Sequence, residues 1–200
     1  NVSVHEAGHA LAYGVLFGLA PLQLTSRSAS SWTAGFTFPH DIHATKNNLI
    51  AQIIIYLAGG IAEDVVFGPD NASTGRVSDR AEATKLALDY IRRFGFDEEF
   101  QANYTLEYAY EMEKRITDTD AEKMMSRLAG EAHRLLLKHL DLLLSLSNAL
   151  NENGHLEGDA VVSLATRHGL NLTVQPEGYL HLPSYAKLLS DSQNGTHPSA

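Results

Sequence analysis

HEAGHALAYGVLFG, His5 to Gly18, is the stretch from which the rest of this chain is read. Its periodicity predicts a helix, with Leu11, Val15 and Leu16 among the apolar positions. Residues four apart on a helix lie one above the other on the same face. His5 and His9 can therefore turn two imidazole nitrogens towards one metal ion, and Ala12 and Leu16 continue their stripe. Glu6 is turned by about 100° from His5 at about 3.6 residues per turn. That puts a carboxylate beside the metal, within reach of a proton on a water bound there. H-E-x-x-H thus supplies two ligands and a general base from one helical turn, the arrangement of zinc proteases. The competing reading is a structural histidine pair. Ala7, Gly8, Ala10, Ala12 and Gly14 are small, so another backbone can come close to this helix.

Beyond the helix, Trp32, Ala34, Phe36 and Phe38 alternate with Thr33, Gly35 and Thr37, the period of a half-buried strand. Leu22-Gln23-Leu24 is a candidate partner strand. A second helix is expected from about Thr45 to Phe67, stopped by Gly68-Pro69, and a third from Ser78 or Asp79 to just before Gly95. Residues 97–115 are acidic and aromatic and give no clear period. Thr119-Asp120-Ala121-Glu122 has the T-x-x-E form of a capping box and predicts the start of a long helix ending near Asn153-Gly154. A short helix, Asp159–Arg167, follows, and residues 171–200 read as a loose C-terminal tail.

Two hundred residues, 44% of them hydrophobic, are enough for one domain with a real core. A formal net charge of −9 argues against nucleic acid as a partner. With no Cys there are no disulfides and no thiolate ligands, so any zinc must be held by His and carboxylate. No stretch reads as an uninterrupted run of the roughly 18 apolar residues that cross a bilayer. The most apolar, Leu49–Ala62, is interrupted by Gln52 and Gly59-Gly60. The chain begins at Asn1 rather than Met and reads as a piece of a longer protein, soluble as it stands.

A catalytic zinc usually takes three protein ligands and leaves one position for water. The third must come from outside the helix. Glu63, Asp64, Asp70, Asp79 and Glu82 are the carboxylate candidates, with His40 and His43 as further nitrogen donors. On chemistry alone Asp79 and Glu63 stand level. Asp79 heads a helix after a Gly-containing loop, where the bland reading is an acid favouring the helix dipole; Glu63 lies in a helix with an apolar face.

Three blocks in order carry a resemblance: His5-Glu6-Ala7-Gly8-His9-Ala10; Leu57-Ala58-Gly59-Gly60-Ile61-Ala62-Glu63-Asp64-Val65-Val66-Phe67-Gly68; and Ser73-Thr74-Gly75 followed by Asp79 and Ala83-Thr84. Together they resemble the peptidase domain of the FtsH family, membrane-anchored AAA ATP-dependent zinc metalloproteases. Leu156-Glu157-Gly158 also fits, so the likeness runs from Val4 to about Gly169 and makes residues 1–170 one metallopeptidase domain. The resemblance implies a mainly α fold with a small β-sheet beside the active site. It implies Zn2+ held by His5, His9 and Asp79, with Glu6 as the catalytic base, which lifts Asp79 above Glu63. It further implies unfolded protein substrates, added as a strand to the edge Trp32, Thr33, Ala34, Gly35 and Phe36. A homo-hexamer, an AAA ATPase on the parent chain, and a membrane-anchored parent with this domain on the cytoplasmic or organelle-interior side complete the implication. The chain departs from the pattern at Ile61, where many members carry Arg, and at Arg76-Val77-Ser78, which replaces small residues and Asn. It carries no P-loop. Two other readings follow from the same residues: a ring-building assembly module with a vestigial site, and a stand-alone peptidase of the thermolysin sort with Glu63 as ligand.

Overall fold

The computed structural model describes residues 1–26, 35–37, 40–105, 111–174 and 178–179. The first helix, α1, spans Val2–Phe17 and is closed by Gly18 in the left-handed conformation. That φ of 69° is one an L side chain rarely adopts, and the Gly18 N–H bonds back to the Gly14 carbonyl. Val4 to Gly14 are all buried, which is why the small residues of this stretch matter. A Cβ on Gly8 would lie 2.6 Å from the Ala62 Cβ and 2.7 Å from the Ala58 carbonyl oxygen. The second helix, α2 (Lys46–Phe67), therefore comes against α1 almost backbone to backbone. Thr45 caps α2 by accepting from the Asn48 N–H.

The helix α2 is at the centre of the molecule, packed against α1, α3 (Val77–Arg92) and α4 (Glu111–Lys138). Its Ile55, Ala58 and Ala62 join Leu11, Tyr13 and Leu24 in one core cluster, with Leu142, Leu143 and Leu146 of α5 (Leu140–Asn153). Its Leu49, Ile53 and Ile54 join Ala83, Ala87 and Ile91 of α3 and Leu128 of α4 in a second. By length and mean composition α2 is long and apolar enough to cross a membrane, although Gln52 and Glu63-Asp64 interrupt its apolar run. Its packing on three helices makes it a core helix here.

The strands form a small annex to the helices. β1 (Gln23–Thr25) lies between β2 (Gly35–Thr37) and β4 (His155–Glu157), antiparallel to both, with Leu24 opposite Phe36 and Leu156. β1 and β2 come close to α1, so the sheet flanks the motif helix. The expected pairing of the Leu22–Leu24 region with the Trp32–Phe38 region is found at Gly35–Thr37; Trp32, Thr33, Ala34 and Phe38 lie outside the described residues. β4 was not anticipated. A second pair, β3 (His40–Asp41) with β5 (Gly178–Tyr179), runs parallel. At the start of the expected tail, Leu172 is buried in the first core, and Thr173 exchanges backbone hydrogen bonds with Gly18 and Ala20. The fold is mainly α.

The capping-box expectation fails. Residues 119–122 lie inside α4, and the Thr119 hydroxyl donates back to the Arg115 carbonyl instead of capping. Arg92 supplies the reason: it donates to the Thr117 hydroxyl, the Lys114 carbonyl and the Asp118 carboxylate, and so holds the extra turns in helical form. The single long helix is also broken, at His139 (φ −116°, ψ 32°), between α4 and α5. α4 chiefly serves the second core and α5 the first, and the bend lets the chain pass between them. Last comes α6 (Gly158–Arg167), one residue longer at its start than expected.

Candidate metal centre

Two helices, α1 and α3, bring His5, His9 and Asp79 together. The two histidines are one turn apart on α1, with ring centroids 4.7 Å apart and planes at 78°. Asp79 comes from the first turn of α3. Its Oδ2 lies 2.9 Å from His5 Nε2 and 3.4 Å from His9 Nε2. One ligand atom from each of the three residues falls within 4.8 Å of the others. The histidine side chains are about a tenth exposed (10% and 9%) and Asp79 is 22% exposed, so the cluster is screened but not sealed.

The far side of each ring fixes the near side. His9 Nδ1 is 2.7 Å from the Ile55 carbonyl oxygen, which can only accept, so Nδ1 carries a proton and Nε2 is the nitrogen turned towards Asp79. His5 Nδ1 donates in the same way to Glu63 Oε1 at 2.7 Å. Two ring nitrogens, which offer lone pairs where the rings are neutral, and a carboxylate oxygen face one another. Three converging acceptors require a cation between them, a proton or a metal ion. A backbone carbonyl and a carboxylate behind the rings are the usual orienting partners of metal-ligating histidines.

Gly59 makes the space. A Cβ there would sit 2.4 Å from His9 Nε2 and 2.7 Å from His5 Nε2, in the cradle between the two donor atoms. The donor set fits a zinc-type ion: two imidazoles and a carboxylate, with neighbours holding each ring.

Charge follows from these contacts. Burial alone would lower the His5 imidazole, but hydrogen bonds to Asp79 and Glu63 and the nearby Glu6 charge outweigh it and raise it above its ordinary value. Burial would raise Asp79; contacts with His5 and His9 instead draw it far below the usual carboxylate range. Glu63, 1% exposed, is pushed up by burial but brought down by Ser73 and His5. Glu6 is raised by burial, partly offset by His9 and His5 and reinforced by Asp79. A buried carboxylate with a raised proton affinity is a stronger base than an exposed one.

Of the other candidates, Glu63 is beside the cluster but faces the back of His5, where it also accepts from the Ser73 N–H at 2.7 Å and the Ser73 hydroxyl at 2.9 Å. Asp64 pairs with Arg76. Asp70, Glu82 and His43 are exposed, and the side chain of His40 lies outside the described residues. Sequence reasoning missed Gly59, Ser73 and Arg76 as parts of the site. The signal for Gly59 was present: Gly59-Gly60 in mid-helix costs about 1 kcal/mol per residue against Ala, which points to a close approach.

Comparison with known proteins gives this geometry a family. The model of peptidase family M41 matches residues 1–164. The chain is 30% identical over 170 residues to the ATP-dependent zinc metalloprotease FtsH of Lachnoclostridium phytofermentans, covering 78% of this chain and 28% of that protein. It is 30% identical over 162 residues to the ATP-dependent zinc metalloprotease FTSH 9, chloroplastic/mitochondrial, of Oryza sativa (78% and 20%). With FtsH 1 of Thermomicrobium roseum, another ATP-dependent zinc metalloprotease, it shares 29% over 184 residues (80% and 27%). The chain spans between 20% and 28% of the length of these relatives. The matched span takes in every helix that brings a side chain to the cluster, and the chain belongs to peptidase family M41, as an FtsH-type peptidase domain.

Proposed function

We propose that this chain is a zinc endopeptidase domain, the proteolytic part of a longer ATP-dependent protease. The observation that carries the reading is the convergence of His5 Nε2, His9 Nε2 and Asp79 Oδ2 around the cradle left by Gly59. These three side chains would hold the ion. When bound there, zinc lowers the pKa of a water towards neutrality and polarises the scissile carbonyl. The chain's own chemistry is proton handling and alignment. The Glu6 carboxylate takes a proton from the attacking water and delivers it to the leaving amine nitrogen. Glu63 and the Ile55 carbonyl hold the imidazole planes through the Nδ1 protons of His5 and His9.

Among the described residues β2 stands at one end of the strand order β2-β1-β4 and approaches α1, so an extended substrate adding to its outer edge would run beside the motif. Gly35 and Phe36 belong to β2, and Trp32, Thr33 and Ala34 precede it. Pairing through the backbone reads few side chains, which suits unfolded polypeptides of varied sequence. The relatives' names place an ATP-dependent activity in their full-length chains. By extension the parent of this chain carries an AAA ATPase, assembles as a homo-hexamer and is anchored in a membrane, with this domain on the cytoplasmic or organelle-interior side.

Zinc content and cleavage of a dye-labelled unfolded polypeptide, measured together, test the reading. Wild type should bind about one zinc per chain. Asp79→Asn should lose it, and Glu6→Gln should keep it while hydrolysis falls by at least about 100-fold. Undiminished cleavage by Glu6→Gln would remove the general base; undiminished zinc in Asp79→Asn would remove the third ligand.

A further inference from the structure

The segment that carries Asp79 to the histidines has no buried side chain of its own. None of the residues in the two short 3-10 turns, Pro69–Asn71 and Thr74–Arg76, is buried. Val77 is 73% exposed, and the first buried residue of α3 is Ala83, a full turn beyond Asp79. Apolar packing therefore does not fix the head of α3. Polar contacts to one turn of α2 do. Ser73 binds Glu63 through its N–H and its hydroxyl. Three residues before Asp79, Arg76 spreads its guanidinium over the same turn. Its Nη2 donates to the Gly60 carbonyl at 2.6 Å and to Asp64 Oδ1 at 2.7 Å, and its Nη1 donates to Asp64 Oδ2 at 3.2 Å. A Cβ on Gly60 would lie 3.0 Å from Arg76 Nε and 3.2 Å from Cζ, so the guanidinium lies against bare backbone.

We propose that Arg76 is a positioning residue for Asp79: its two-pronged bond to Asp64 and its bond to the Gly60 carbonyl clamp the head of α3 at the distance from α1 that metal binding requires. The inference rests on the zinc-site reading above. α2 is the common reference, because Gly59 leaves the space beside both imidazoles, where a Cβ would collide with them, while Gly60 and Asp64 hold Arg76. An ammonium cannot replace the fork, since one point donor cannot reach the carbonyl and both carboxylate oxygens with the same geometry.

The test measures the zinc dissociation constant by chelator competition in wild type, Arg76→Ala, Arg76→Lys, Asp64→Asn and the Arg76→Ala/Asp64→Asn double variant. Thermal unfolding of each metal-free protein runs alongside. Arg76→Ala and Asp64→Asn should each weaken zinc binding by about 10- to 100-fold, the usual effect of removing a group behind a ligand. The metal-free proteins should melt within a few degrees of wild type. The double variant should bind no more weakly than Arg76→Ala, and Arg76→Lys should remain several-fold weaker than wild type. Asp64→Asn breaks the same fork with almost no change of shape, so it reports even where Arg76→Ala folds poorly. Unchanged affinity in a folded variant, additive losses in the double variant, or a loss matched by equal destabilisation of the metal-free protein would overturn the inference alone. A wild type that takes up no zinc overturns the zinc-peptidase reading, and this inference with it.

Discussion

Gly59→Ala tests the site with a single methyl group. The new Cβ would lie 2.4 Å from His9 Nε2, 2.7 Å from His9 Cε1 and 2.7 Å from His5 Nε2. Ordinary contact between such atoms is about 3.5 Å, so the rings must retreat by roughly 1 Å or α2 must move away. Zinc–nitrogen bonds are about 2.0–2.1 Å and tolerate about 0.2 Å. A retreat of this size is several times the tolerance, and it acts on two ligands at once. The loss should exceed the roughly 10- to 100-fold effect of removing a group behind a ligand. More than 100-fold, or about 2.7 kcal/mol, is the expectation.

The fold should suffer much less. Ala is favoured over Gly in a helix interior by about 1 kcal/mol, and overpacking costs about 1–3 kcal/mol. The metal-free protein should therefore lose between nothing and about 2 kcal/mol, a shift of a few degrees at this chain length. Chelator competition gives the zinc affinity, and melting with and without zinc gives the two stabilities. In wild type, excess zinc should raise the melting temperature; in Gly59→Ala that gap should close. A folded Gly59→Ala that binds zinc within threefold of wild type would refute the claim that the cradle at Gly59 is the metal position.

Gly8→Ala places its clash elsewhere, against the Ala62 Cβ at 2.6 Å and the Ala58 carbonyl oxygen at 2.7 Å. Relief requires α1 and α2 to part, and because backbone cannot give way the overpacking cost of about 2–3 kcal/mol exceeds the roughly 1 kcal/mol helical advantage of Ala, so the metal-free protein should lose about 1–2 kcal/mol; a metal-free melting temperature equal to wild type would refute this. The pH dependence of the metal-free protein has a definite sign. His5 is raised in the folded state, so its contribution is full below the unfolded value of 6.5 and is lost as pH rises through the folded value. Unfolding titrations above pH 6.5 should show stability falling by up to about 1.4 kcal/mol per pH unit over that window. Saturating zinc should abolish the slope, and a metal-free protein that gains stability over the same window would contradict the His5–Asp79–Glu63 contacts.

The helix boundaries and the motif were legible because their causes are local. Gly18 ends α1 and Gly68-Pro69 ends α2, each by chemistry confined to one or two residues. The start of α4 was not legible. Thr119-Asp120-Ala121-Glu122 has the composition of a cap, but Arg92, 25 residues before Thr117, holds the preceding turns in the helix. Nor was β4: three residues, His155–Glu157, are too few to show a period, and only their pairing with β1 makes them a strand. The relation of Glu63 to His5 escaped for a similar reason. Sequence chemistry presented Glu63 as a rival ligand, whereas its side chain reaches His5 at Nδ1, across a separation of 58 residues. Choosing between the front and the back of an imidazole takes three-dimensional information.

A short stretch of α2, Gly59 to Asp64, connects these observations, and its arrangement follows from helical geometry. Residues 59 and 63 are four apart and share a face, as do 60 and 64 on the neighbouring face. The first pair serves α1: Gly59 leaves room between the imidazole Nε2 atoms, and Glu63 takes the His5 Nδ1 proton. The second pair serves α3: the Gly60 carbonyl and the Asp64 carboxylate accept from Arg76. Glu63 joins the two faces through Ser73, which precedes the head of α3. A rigid helix therefore sets the distance between His5 and Asp79, proposed ligands 74 residues apart in the chain, and it does so with two glycines that a helix of this length would otherwise be more stable without. Their helical cost is offset only if closeness to α1 and to Arg76 matters more, and at the metal centre closeness is what the chemistry requires.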